Sequence, residues 1–307
     1  MRPLIIAVVA STTMLIAACG TADNTPASSP TTTTTSVVPA TATASPTTSP
    51  TTSTSTTTST TRPTTIRPLT PTTTTAPSIT AAPTRSPGGL AGKVVVVDPG
   101  HNGRNGANPS IINALVDAGG FKKACNTTGT AGPNGYSEAL FNWQTSQLLV
   151  AELRAAGATV VMTRSSNDGV GPCVDVRGQT AATSNADVLV SIHADGSATS
   201  NHGFHVIYPP VVPGYIETSA PASERLAQAV RDAQVTAGLS TSTYIGTGGL
   251  SKRSDLGTLN RTGDRPAIII ECGNMKNAAD LAFLQSSAGQ TTIARALVTA
   301  LTNFFAS

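Results

Sequence analysis

The feature that most limits what this chain can fold into is a break in composition near residue 87. Residues 20–87 are almost wholly Thr, Ser, Pro and Ala, with no apolar period and almost no aromatic content. Such a stretch cannot bury enough apolar surface to offset its chain entropy, so it is expected to stay disordered. Any folded unit therefore lies within residues 88–307 of the 307-residue chain, enough for one good core and one domain. Charge divides at the same place. Of 19 Lys and Arg and 16 Asp and Glu, only Arg2, Asp23, Arg62, Arg67 and Arg85 precede residue 88. The net charge of +3 thus belongs to the first 87 residues, and the rest is formally neutral. A neutral domain lacks the basic surface that phosphate recognition needs, so no nucleic-acid partner is expected.

Residues 1–19 read as an export signal. Arg2 supplies a positive start, and the apolar run from Leu4 to Ile16 is too short to span a bilayer. Ile16-Ala17-Ala18-Cys19 resembles a bacterial lipobox, in which small residues precede a cysteine that is cut and lipidated. Cys19 is the expected lipidation site; the alternative is an ordinary cleaved signal with an incidental cysteine. The expectation is an exported protein, lipid-anchored to the outer face of the bacterial cell membrane. Residues 20–87 would then be a spacer on the order of 45–50 Å long as a flexible coil. Its Thr, Ser and Pro content also suits an O-glycosylated stalk.

From Lys93 the pattern becomes an α/β one. Lys93 to Asp98 is a β-branched strand that ends in the turn signal Pro99-Gly100. Further strands are expected at 158–163, 187–192, 203–208 and 267–271. Helices are expected at 138–156, ended by Gly157, and at 219–237, 277–284 and 290–305. Strands that alternate with helices and are apolar throughout predict one domain. Its central sheet would be mostly parallel, with about five or six strands and helices on both faces. Residues 102–137 and 238–262, rich in Gly, Asn and Thr, are expected as long loops flanking a cleft.

The candidate chemistry sits where strands end. His101 follows the first strand, and His193 follows the strand at 187–192. In an open α/β sheet the carboxyl ends of the strands form the ligand crevice, so two imidazoles there can converge on one point. A catalytic zinc commonly takes two imidazoles and a carboxylate and keeps one position open. Glu138 is a candidate for the carboxylate. On a helical wheel it shares an arc with Phe141, Leu148, Leu149 and Ala156. Glu152 shares that arc too, and a solvated Glu138 complementing the helix dipole remains an alternative. Glu271 leaves a buried strand, where an unpartnered carboxylate is costly. It is either a base beside a metal or one half of an ion pair with Arg253 or Arg265.

Taken together, the motifs resemble those of the zinc-dependent N-acetylmuramoyl-L-alanine amidases of the type-3 amidase family. The matching pieces are Val96-Val97-Asp98-Pro99-Gly100-His101, Ser137-Glu138-Ala139 at a helix start, and Val160-Val161-Met162-Thr163-Arg164. Then follow Arg177 with Asn185-Ala186-Asp187, Ser191-Ile192-His193-Ala194-Asp195, and Pro266 to Asn274 with Asn277. Their order holds from about Lys93 to the C-terminus. The resemblance implies that His101, Glu138 and His193 hold Zn²⁺ and that Glu271 is catalytic, taking a proton from the attacking water. It also implies the substrate, the amide between N-acetylmuramic acid and L-alanine in peptidoglycan. Action would then lie in the cell wall or periplasmic space, with a monomer expected. The chain departs from the family pattern at Asn102 and at Cys272-Gly273-Asn274-Met275, which bears on pocket shape. Two alternatives use the same cleft: a non-catalytic peptidoglycan-binding lipoprotein, and a zinc peptidase acting on stem peptides.

Cys125, Cys173 and Cys272 allow three pairings. Cys125 and Cys173 both lie in loops, whereas Cys272 follows a buried strand and reads as a packed residue. A Cys125–Cys173 disulfide is expected, and an oxidising compartment would preserve it. His205 alternates along its strand and reads as a satisfied structural histidine. His202 lies in a turn and reads as solvated. Tyr244 and Arg253 are candidates to touch substrate.

Overall fold

The computed structural model describes residues 89–307. The export signal, the lipidation site Cys19 and the spacer of 20–87 lie outside the described residues. In the described part, β1 (Val94–Pro99) is followed by a 3-10 turn (Asn105–Ala107), α1 (Pro109–Ile112) and the hairpin β2 (Leu115–Asp117) and β3 (Lys122–Ala124). Next come α2 (Glu138–Ala155), β4 (Thr159–Met162), α3 (Val174–Thr183), β5 (Val188–Asp195) and β6 (His205–Tyr208). The chain ends through α4 (Ala220–Thr236), β7 (Leu250–Lys252), α5 (Gly257–Asn260), β8 (Ala267–Asn274), α6 (Ala278–Gln285) and α7 (Ser287–Ala306).

The main sheet has six strands in the order β4-β1-β5-β8-β6-β7. β4, β1, β5 and β8 run parallel; β6 pairs antiparallel to β8 and parallel to β7. The expected mostly parallel α/β sheet is therefore observed. Alternate residues of the central strands enter two cores. Val95, Val97, Val190, Ile192, Ile268 and Ile270 pack with Phe141, Leu149, Leu226 and Leu297 of α2, α4 and α7. Val96, Leu189, Ile207 and Ile269 pack on the other face with Ala181 and Leu259 of α3 and α5. Both faces are covered, which is why these strands read as unbroken apolar runs.

The helix ends follow their sequence signals. The Ser137 hydroxyl accepts from Leu140 N at 3.3 Å and starts α2; Gly157, at φ 96°, follows its end in the left-handed region that glycine permits. The Asn277 side chain caps α6 and Ser286 caps α7.

Some expectations need correcting. Residues 102–137 and 238–262 are not plain loops: they hold α1, the hairpin, β7 and α5. α3 was not expected at all, because its buried residues are Arg177, Gly178 and Ala181 rather than an apolar stripe. His193 and Glu271 lie within β5 and β8, since both strands continue to Asp195 and Asn274.

Candidate metal centre

The turn at the end of β1 places the first imidazole. His101 has a left-handed backbone, φ 56°, which a non-glycine residue holds only where its surroundings impose it. Here three buried side chains clamp the carbonyls of residues 99–101. Arg164 donates to Pro99 O at 2.8 Å and Gly100 O at 3.3 Å, and Asn142 donates to Gly100 O at 3.1 Å. Arg177 donates to Pro99 O at 2.7 Å and to His101 O at 2.6 Å. The Arg177 charge meets Asp98 at 2.6 Å, and Asp98 also accepts from Ser191 Oγ at 2.6 Å and from the Thr163 hydroxyl. Burial favours the neutral Asp98, but Arg177 and the two hydroxyls overcome it and hold the carboxyl below its usual range. Burial, with Arg177 close by, pulls the Arg164 guanidinium down to about 9.

Glu138, the first residue of α2, points into the protein at 4% exposure. Its Oε1 lies 3.1 Å from His101 Nε2 and 2.8 Å from His193 Nδ1. Backbone N–H groups complete its surroundings: Thr130 N donates to Oε2 at 2.9 Å and Ala194 N to Oε1 at 3.3 Å. Burial raises the carboxyl, yet the two imidazoles overcome this and leave it well below its usual value. Burial likewise disfavours a charged His101, and Glu138 outweighs that, so the imidazole is raised. Glu152 turns instead to Arg295 at 3.0 Å, which separates the two acids that the helical wheel left together. The site needs two glycines. A Cβ on Gly100 would stand 2.2 Å from the His193 ring, and one on Gly129 (φ 77°) 2.8 Å from Glu138 Oε2.

His101, Glu138 and His193 each offer one ligand atom, and these atoms lie within 4.8 Å of one another. The donor set of two imidazoles and a carboxylate suits a zinc ion, and no Lys or Arg among the described residues pairs with Glu138. The residues present therefore fit such an ion.

Glu271 sits opposite His193 on one side and opposite His205 on the other, so the three share one sheet face. Its Oε2 is buried with no hydrogen-bond partner. Burial first, then the charges of Glu138 and Asp195, push its carboxyl well above its usual value. The ion-pair alternative is not observed: Arg253 binds Asp255, and Arg265 donates to Asn185 Oδ1 at 2.6 Å. His101, Glu138, His193, Asp195, Arg253 and Glu271 border one cleft of about 400 Å³.

His205 corrects an expectation. It is buried, but Nδ1 has no partner, and burial pulls the imidazole down to about 4. It packs edge-on against Tyr244, whose hydroxyl donates to Asp195 Oδ2 at 3.1 Å. His202 is exposed. Cys125 and Cys173 are joined, with Cα atoms 4.3 Å apart, and Cys272 is buried and free. The departure at Asn102 secures a loop: Oδ1 accepts from Gly169 N at 3.2 Å, and Nδ2 donates to Gly171 O at 3.0 Å.

Asp98, Asn142, Arg164 and Arg177 received no role from sequence. The available signal was Asp98 itself, a charge closing an all-valine strand, which demands a buried cation.

Comparison with known proteins identifies the family. The family profile described as N-acetylmuramoyl-L-alanine amidase matches residues 95–303. A curated N-acetylmuramoyl-L-alanine amidase of Mycobacterium tuberculosis is 39% identical over 232 residues, 76% of this chain and 94% of that protein. The crystal structure of the apo N-acetylmuramyl-L-alanine amidase of Mycobacterium abscessus has a TM-score of 0.66 and 42% identity, covering 70% of this chain and 100% of that one. The corresponding enzyme of Mycobacterium smegmatis has a TM-score of 0.66 and 38% identity, covering 71% and 98%.

Proposed function

The chain belongs to the N-acetylmuramoyl-L-alanine amidase family, and from that premise we propose that it is a zinc-dependent hydrolase of the amide joining N-acetylmuramic acid to L-alanine in peptidoglycan. The observation that carries the reading is the buried Glu138 carboxylate between two imidazoles, with the unpartnered Glu271 oxygen in the same cleft. A zinc ion held by His101, Glu138 and His193 would supply an acidified water and polarise the substrate carbonyl.

The protein's own residues divide the remaining tasks. Glu271 accepts the proton of the attacking water and returns one to the leaving L-alanine amine. Its raised carboxyl comes from burial near Glu138 and Asp195; with a cation held by His101, Glu138 and His193, that repulsion would be opposed and Glu271 would regain its capacity as a base. Arg164, Arg177 and Asn142 keep the His101 backbone in place, and the Thr127 carbonyl, 3.1 Å from His101 Nδ1, orients the ring.

The same reading places the protein outside the cytoplasm. Residues 1–19 would direct export, Cys19 would carry the lipid anchor, and residues 20–87 would span from membrane to wall, with residues 88–307 acting as a monomer. No helix among the described residues is long and apolar enough to cross a membrane.

The test combines metal analysis with muropeptide mass spectrometry before and after chelation. Release of peptides beginning at L-alanine, lost on chelation and restored by zinc, is the expected result. Cuts within the peptide, or cleavage that survives removal of all metal, refute it. Glu271→Gln should keep its metal and lose about 10²–10⁴ in kcat.

A further inference from the structure

Arg253 is the one Lys or Arg among the described residues that border the cleft. Its backbone is fixed just beyond β7, where Arg253 N donates to Tyr208 O at 3.0 Å. Its Nε and Nη2 donate to the two Asp255 oxygens at 2.9 and 2.7 Å. Lys123, from the β2–β3 hairpin, approaches the same acid, with Nζ 2.7 Å from the Asp255 carbonyl and 3.4 Å from its carboxylate. Two cations share one anion, so Asp255 orients the guanidinium without cancelling the positive charge of the group. Nη1 has no hydrogen-bond partner among the described residues.

The cleft's own acids do not take that donor. Glu138 is held between the imidazoles. Asp195 accepts from Gly196 N at 2.8 Å and from the Tyr244 hydroxyl at 3.1 Å. Glu271 forms no ion pair with Arg253, and one of its oxygens stays unpartnered. The guanidinium of this cleft-lining residue therefore keeps Nη1, with the second hydrogen of Nη2, unused as an end-on fork. That fork matches a carboxylate in two parallel hydrogen bonds, and because Asp255 already fixes the side chain, little rotamer freedom is lost on binding.

We propose that Arg253 is a specificity residue that binds a carboxylate on the peptide side of the scissile amide, so that the preferred substrate carries an acidic peptide. The proposal rests on the amidase reading above. Its test uses the full-length, zinc-loaded protein and two N-acetylmuramoyl dipeptides. In one the second residue bears free carboxyl groups, and in the other the same groups are amides. The wild-type protein is expected to favour the acid by about tenfold in kcat/KM, expressed in KM. Arg253→Gln should bring that ratio close to one, and Arg253→Lys, which keeps the charge but loses the fork, should fall between. A wild-type ratio near one, or a ratio that Arg253→Gln leaves intact, overturns the proposal while sparing the amidase reading. Failure of the wild-type protein to cut either dipeptide or whole peptidoglycan overturns both.

Discussion

Replacing Arg177 by lysine tests whether the clamp on residues 99–101 holds the metal site. Arg177 is 2% exposed, and its guanidinium meets Asp98, Pro99 O, His101 O, Gly171 O and Pro172 O. A lysine ammonium has three N–H groups on a single nitrogen and cannot reach all of these acceptors. Pro99 O keeps Arg164, Gly171 O keeps Asn102 and Pro172 O keeps Asn126, so His101 O is the acceptor left without a donor. An orphaned buried acceptor costs about 1–3 kcal/mol. The charge opposite Asp98 survives, so the larger cost of about 3–5 kcal/mol for an uncompensated buried ion is avoided. Arg177→Lys should therefore lose about 1–3 kcal/mol, a sizeable share of the roughly 5–15 kcal/mol that stabilises a domain. Urea unfolding of the metal-free protein measures this directly. Competition titration with a chelator should also show zinc affinity down by about 10–100-fold, since Arg177 holds the His101 carbonyl. A variant within about 0.5 kcal/mol of wild type and unchanged in zinc affinity refutes the clamp.

Gly100→Ala puts a methyl group 2.2 Å from the His193 ring, so elemental analysis should find the purified variant depleted of zinc. Cys125→Ser with Cys173→Ser opens a link of sequence separation 48 and should lower stability by about 4 kcal/mol in the chain-entropy model; denaturation at matched zinc content measures it. Asp98 has a lowered carboxyl in the folded state, so its contribution is complete above the unfolded value near pH 4 and is lost as pH falls through the folded value. Thermal unfolding of wild type should thus fall more steeply below about pH 4 than that of Asp98→Asn, which is already destabilised at neutral pH.

The sheet was legible because both faces of β1, β5 and β8 are buried, which writes each strand as a continuous β-branched run. His101, His193 and Glu271 were legible as candidates because strand ends carry ligands in such sheets. Glu138 was not separable from Glu152 by periodicity, since only tertiary contacts send one to the imidazoles and the other to Arg295. α3 stayed hidden because a charged side chain, Arg177, is what it buries. β2, β3 and β7 are three residues each, too short for an alternation to register. Buried but unpartnered atoms such as His205 Nδ1 have no signature in a linear chain, because they depend on what the neighbouring strand brings opposite.

The three candidate ligands come from a strand end, a helix start and a second strand, with His193 lying 55 positions beyond Glu138. No short fragment contains two of these three ligands, so an extended polypeptide offers them to an ion only as single, weak donors. Capture of a metal by these residues would have to wait until β1 and β5 lie side by side and α2 has docked, so loading would be a late event in maturation and a bound ion would report an assembled sheet.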